Sequence, residues 1–104
     1  MNKKQLSPAE KDKILLEGIR AVLNGDLTEG ELLNQLRKKV LGITQQRYAT
    51  LVGISRRTLS DIENGKTQVS FITFNRVLKP LGLKLSLLPR SPNLVAKLLN
   101  EKEK

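Results

Sequence analysis

Residues 44–66 read Thr44-Gln45-Gln46-Arg47-Tyr48-Ala49-Thr50-Leu51-Val52-Gly53-Ile54-Ser55-Arg56-Arg57-Thr58-Leu59-Ser60-Asp61-Ile62-Glu63-Asn64-Gly65-Lys66, and this stretch decides the fold. Thr44 and Ser55 each precede a short run with helical spacing, where a hydroxyl can accept from the first unsatisfied backbone N–H groups. The runs extend from about Gln45 to Val52 and from Arg56 to Asn64. Gly53 separates them and can take the positive φ of a tight turn. Ala49 is small where two helices would cross. Tyr48, Val52, Ile54, Leu59 and Ile62 supply apolar side chains at spacings that let the pair share one core.

Outward from this pair the helical signals continue. Ser7-Pro8-Ala9-Glu10 carries a capping-box pattern with proline in the first turn, followed by Leu15, Ile19, Val22 and Leu23 at helical spacing and Gly25 as a stop. Thr28-Glu29-Gly30-Glu31 is a second capping box, followed by Leu32, Leu33, Leu36 and Val40, with Gly42 at the end. Ser70 caps a fifth helix carrying Phe71, Phe74, Val77 and Leu78, limited by Pro80 and Gly82. In residues 83–88, Leu83, Leu85 and Leu87 alternate with Lys84 and Ser86, the period of a strand. A lone strand in a helical domain has unpaired backbone groups, and a copy in a second chain is its simplest partner. Beyond Pro89, Ser91-Pro92 can open a short helix with Leu94 and Leu98, and Val95 and Leu99, one turn apart, before a solvated tail at 101–104. The expected fold class is all-α: five helices followed by a short C-terminal strand paired across a dimer. The chain divides into an N-terminal helical extension at 1–26, a central domain at 27–82, and a dimerising strand with tail at 83–104.

A chain of 104 residues supports one domain with a modest core. It contains no cysteine and no histidine, which excludes disulfides, Cys/His metal sites, thiol nucleophiles and imidazole acid/base catalysis. No run approaches the roughly 18 apolar residues of a membrane span, and the N-terminus lacks the apolar stretch of a signal peptide, so a soluble cytoplasmic protein is expected. The formal charge is +9, distributed as +2 over residues 1–43, +2 over 44–69 and +5 over 70–104. A surplus of this size favours a polyanionic partner, nucleic acid first. The aromatic residues are Tyr48, Phe71 and Phe74, too few for the stacking platforms of single-strand binders, so duplex DNA is preferred. Gly65-Lys66-Thr67 lacks the first glycine of a phosphate-binding loop, since position 60 is Ser60. Asp12, Glu17, Glu29 and Glu31 lie in capping or surface contexts rather than in a paired acid/base site, and no enzymatic activity or cofactor is expected.

Gln45, Ala49, Gly53, Leu59, Ile62, Glu63, Asn64 and Gly65 stand in register with the Cro/CI/Xre family of phage and bacterial repressors, which the chain resembles over roughly residues 32–82. The resemblance implies a lambda-repressor-like helix-turn-helix domain and a double-stranded operator as ligand. It places Gln45 at the start of the first helix of the pair, gripping a phosphate together with the Thr44 cap. Ser55, Arg56, Arg57 and Asp61 fall at groove-facing positions, with Thr58 and Ser60 beside them and Asn64 and Lys66 returning to the DNA backbone. Arginine can donate two parallel hydrogen bonds to guanine O6 and N7, so adjacent arginines suggest G-containing half-sites. Asp61 accepts from cytosine, repels a nearby phosphate, or pairs with Arg57; all three stay open. Glu63 corresponds to a structural acid paired with a basic residue four before the glycine that ends the preceding helix. That residue is Lys38, which lacks the bidentate fork of arginine. With the helix at 70–78 and the alternating run at 83–88, the chain is also similar to HipB-like antitoxins. That narrower resemblance implies a homodimer, an inverted-repeat operator, transcriptional autoregulation and a kinase-like toxin partner of the HipA type. A repressor without a toxin, and a protein-interaction module with the same fold, are the alternatives.

Overall fold

The computed structural model describes residues 5–66 and 68–100 and contains six α-helices among them. They are α1 (Pro8–Leu23), α2 (Glu29–Leu36), α3 (Gln45–Val52), α4 (Arg56–Glu63), α5 (Phe71–Leu78) and α6 (Pro92–Asn100). The tail expected at 101–104 lies outside the described residues.

Each start is set by the hydroxyl that the sequence placed before it. Ser7 and Glu10 close a reciprocal capping box, and Thr28 and Glu31 close another. Thr44, Ser55 and Ser70 accept from the backbone N–H groups of Arg47, Thr58 and Thr73 at 3.1, 2.9 and 3.1 Å. Replacing such a cap costs about 1 kcal/mol, so five caps on short helices fix where each element begins. Between α3 and α4 the chain turns at Gly53, which has φ +80°, a conformation that a β-carbon disfavours. The guanidinium of Arg76 on α5 donates to the Val52 carbonyl at 3.1 Å, satisfying an orphan acceptor at the end of α3.

The core lies where α2, α3, α4 and α5 converge. Leu33, Leu36, Tyr48, Ala49, Leu59 and Val77 are essentially inaccessible to solvent. Ile14, Leu15, Ile19 and Val22 pack against this cluster, so α1 covers core surface. Two glycines allow close contact. Gly18 sits where a β-carbon would overlap Leu32 of α2, and Gly30 sits where one would overlap the Ile62 carbonyl and lie 2.8 Å from that of Glu63. The start of α2 therefore rests directly on the backbone of α4. Phe71, expected on the core face, is instead 66% exposed in the first turn of α5.

Residues 83–88 form no strand in the described chain. A strand exists only through its ladder, and no ladder forms among the described residues; the Leu85 N–H donates to the Asn75 side chain at 2.9 Å instead. The apolar alternation survives in part: Leu83 and Leu85 are half-buried between exposed Lys84 and Ser86, whereas Leu87 is almost fully exposed. The segment opened by Ser91-Pro92 is helical as α6, but none of its side chains is buried.

Candidate nucleic-acid interface

The second helix of the central pair has one anchored face and one solvent face. Leu59, Ile62 and Glu63 hold α4 in the core, while Arg56 and Arg57 stand exposed in its first turn. Ser55 caps that turn and also donates to the Thr58 hydroxyl at 2.8 Å. Ser60 and Asp61 are half-buried along the helix, and Asn64 and Lys66 are exposed beyond its end. Asn64 donates to the Ser60 hydroxyl at 3.5 Å, at the outer limit of a hydrogen bond. Thr44 is exposed at the start of α3, and Gln45 beside it is half-buried. No ion pair joins Asp61 to Arg57 among the described residues.

Beneath this surface lies a buried polar cluster centred on Glu63. Its two carboxylate oxygens accept from Arg37 Nε at 2.7 Å and Arg37 Nη2 at 3.0 Å, a bidentate pair, and Oε1 also accepts from Asn34 at 2.8 Å and Gln45 at 2.9 Å. Arg37 Nη1 donates to the Ile43 carbonyl at 2.9 Å, tying in the turn that leads to α3. Burial alone would raise the Glu63 carboxyl; the bonds from Arg37, Asn34 and Gln45, with the charge of Arg37, outweigh it and hold the group below its ordinary value of 4.5. Beside it, Tyr48 is fully buried and its hydroxyl donates to the Val77 carbonyl. Burial and the neighbouring Glu63 charge push its titration well above the usual range.

The partner of Glu63 is thus Arg37 and not Lys38. The residues 37–41 form a π-helical turn in which the Gly42 N–H reaches back five residues to the Arg37 carbonyl. A π turn accommodates one residue more than an α turn, so counting back from the glycine at α-helical spacing lands one residue late. Lys38 is exposed and Arg37 is buried. The inward face did carry a signal, because Arg37 lies four residues after buried Leu33 and Lys38 does not. Asn34, three residues before Arg37, also went unnoticed. The bidentate fork that lysine would have lacked is present.

Two helices joined by a glycine turn, the second exposing basic side chains from a buried footing, define a helix-turn-helix unit. The chain belongs to the helix-turn-helix family of Cro/CI/Xre type: the family model described as helix-turn-helix matches residues 33–88. This is a family of DNA-binding transcriptional regulators. The chain is 36% identical over 57 residues to control protein C.MunI from a Mycoplasma species, covering 55% of this chain and 77% of that protein. It is 36% identical over 52 residues to an uncharacterized HTH-type transcriptional regulator of Haemophilus influenzae, covering 50% of this chain and 53% of that one. Another such regulator, from Methanothermobacter thermautotrophicus, is 38% identical over 45 residues, 43% of this chain and 65% of the other. The chain therefore spans less than two thirds of the length of these last two. No solved structure matches it. No helix among the described residues is long and apolar enough to cross a membrane.

Proposed function

We propose that this chain is a sequence-specific double-stranded DNA-binding repressor that acts as a homodimer on an inverted-repeat operator. The exposed pair Arg56 and Arg57, carried on a helix whose opposite face is locked in the core, is the observation that supports the reading most strongly. A rigid element lets a charged side chain enter the groove without ordering the backbone at the moment of binding. Adjacent helical residues diverge by about 100°, so the two arginines can divide base and phosphate contacts between them. Ser60 and Asp61 lie one turn beyond Arg56 and Arg57 on α4, with Ser55 and Thr58 in its first turn beside them, while Thr44, Asn64 and Lys66 flank this surface on the phosphate side.

Arg57→Ala is expected to cost about 1–3 kcal/mol on the preferred duplex and little on random duplex, as read by fluorescence anisotropy. Equal losses on both would exclude base readout. Association with DNA should weaken steeply as salt rises, because phosphate contacts release counterions.

Dimerisation is assigned to residues 83–88, whose backbone forms no ladder within the described chain and whose Leu87 side chain is 94% exposed. Leu87→Asp should convert a dimer at low micromolar concentration to monomer in sedimentation analysis, and half-sites should lie about 10 base pairs apart, centre to centre. A dimer unaffected by that change would put the interface elsewhere. An antitoxin role beside a HipA-type kinase rests on the order of helix and extended run, and on the exposed Leu94 and Leu98 of α6 as a protein-facing surface. Co-purification from the native host separates it from a repressor without a toxin.

A further inference from the structure

On the outer side of α3 lies a groove of about 570 Å³, lined by Leu41, Ile43, Arg47, Thr50, Leu51 and Pro80. Its walls come from the π turn and the link that follows it, from α3 itself, and from the single 3-10 turn Lys79–Leu81 after α5. Leu41 and Ile43 are half-buried and pack against the core, so the groove is preformed. Leu51 is 61% exposed, although it stands on the same helix as fully buried Tyr48 and Ala49. A lone exposed leucine needs no explanation. One set beside three further apolar side chains in a concavity of ligand size has the character of a docking site.

Charge decides what docks. Arg47 lines the groove, and exposed Lys38, Lys39 and Lys79 stand on the two turns that flank it. No Asp or Glu occurs in residues 32–60 or 64–100, and the two between, Asp61 and Glu63, belong to α4, which contributes nothing to the lining. The groove therefore joins apolar walls to a rim of one sign. A second copy of this chain does not match it: exposed Leu87, Leu94 and Leu98 lie in an acid-free stretch, and α1, with exposed Leu16, carries three acidic residues against three basic ones. We propose that the groove binds an acidic peptide segment of another protein. A large apolar side chain of that segment enters between Leu41, Ile43, Leu51 and Pro80, and its carboxylates face Arg47 and the flanking lysines. The apolar contact supplies affinity, and the charges select the partner. This surface goes beyond the DNA-binding reading and does not rest on it, because no lining residue lies on α4.

Selection of random peptides displayed on phage, with the purified protein as bait, tests the proposal. The enriched sequences should carry several Asp or Glu around a Leu, Phe or Trp. A synthetic copy of the most enriched one should shift the backbone amide resonances of residues 41–51 and of Leu81, and leave those of Arg56 and Arg57 in place. Leu51→Asp should weaken this peptide at least about tenfold and Leu51→Met less than about twofold. Arg47→Glu should weaken it about fivefold at low salt, a loss that shrinks as salt rises. L51D should keep its thermal melt and its affinity for duplex DNA, since the side chain lies outside both the core and α4. No enrichment, enriched peptides without acidic residues, resonance shifts centred elsewhere, or undiminished binding by L51D would each overturn the proposal. A peptide weakened by R56A and R57A but not by L51D would overturn it as well, because such a peptide would be imitating DNA phosphates on α4.

Discussion

Glu63→Ala is expected to remove about 3–5 kcal/mol of stability, because it leaves the Arg37 guanidinium buried without its counter-charge. Arg37 is 4% exposed and its remaining side-chain hydrogen bond is to the Ile43 carbonyl, so the orphaned charge has little access to water. Asn34 and Gln45 lose their acceptor in the same step. Urea unfolding measures the loss. Replacing both partners, with Arg37→Met and Glu63→Leu, should recover much of it, since an apolar pair of similar volume avoids the desolvation penalty. A single variant within 1 kcal/mol of the parent would contradict this account of the cluster. The pH dependence has a definite sign. The folded carboxyl titrates below its ordinary value of 4.5, so the stabilisation is fully present above that pH and is lost as pH falls towards the folded value. Glu63→Gln should flatten the stability curve on this acid side.

Tyr48→Ala is the second large effect, at about 3–5 kcal/mol, the range for deleting a buried aromatic side chain. The ring is fully enclosed, and its hydroxyl joins α3 to the last turns of α5 through the Val77 carbonyl. Tyr48→Phe separates the two contributions: it keeps the ring and leaves that carbonyl unsatisfied, at a cost of about 1–3 kcal/mol. The hydroxyl titrates above its ordinary value of 10.0, so its stabilisation is whole below that pH and declines as pH rises further. Thermal melts of the phenylalanine variant should lack this alkaline decline.

Most of the architecture was legible because the helices are short and their ends are marked chemically. Ser7, Thr28, Thr44, Ser55 and Ser70 announce five starts, and all five accept the expected backbone bond. The exposed arginines of α4 were legible for the same reason, since their place follows from the Ser55 cap and the apolar spacing of Leu59 and Ile62. The π turn was not, because no residue type specifies it; it arises where the chain must fit an extra residue before Gly42, and it moved the ion pair from Lys38 to Arg37. Gly30 read as part of a capping box, and only the approach of α4 explains why that position has no side chain. The alternation at 83–88 was visible, yet a strand requires a partner, and one chain does not supply it. Gln45 was read as a phosphate contact at the start of a helix; its inward bond depends on Glu63, eighteen residues away in sequence, and spacing along one helix cannot encode that contact.

The central claim is that α4 reads duplex DNA through its exposed arginines. Selection of bound duplexes from a random pool tests it most directly, carried out in parallel with the unmodified protein and with Arg56→Ala and Arg57→Ala. The account predicts enrichment of an inverted repeat with G-containing half-sites, and a relaxed preference at separate base pairs for the two variants. Failure of the unmodified protein to enrich any sequence at low salt, or the same motif recovered with undiminished preference by both variants, would contradict it.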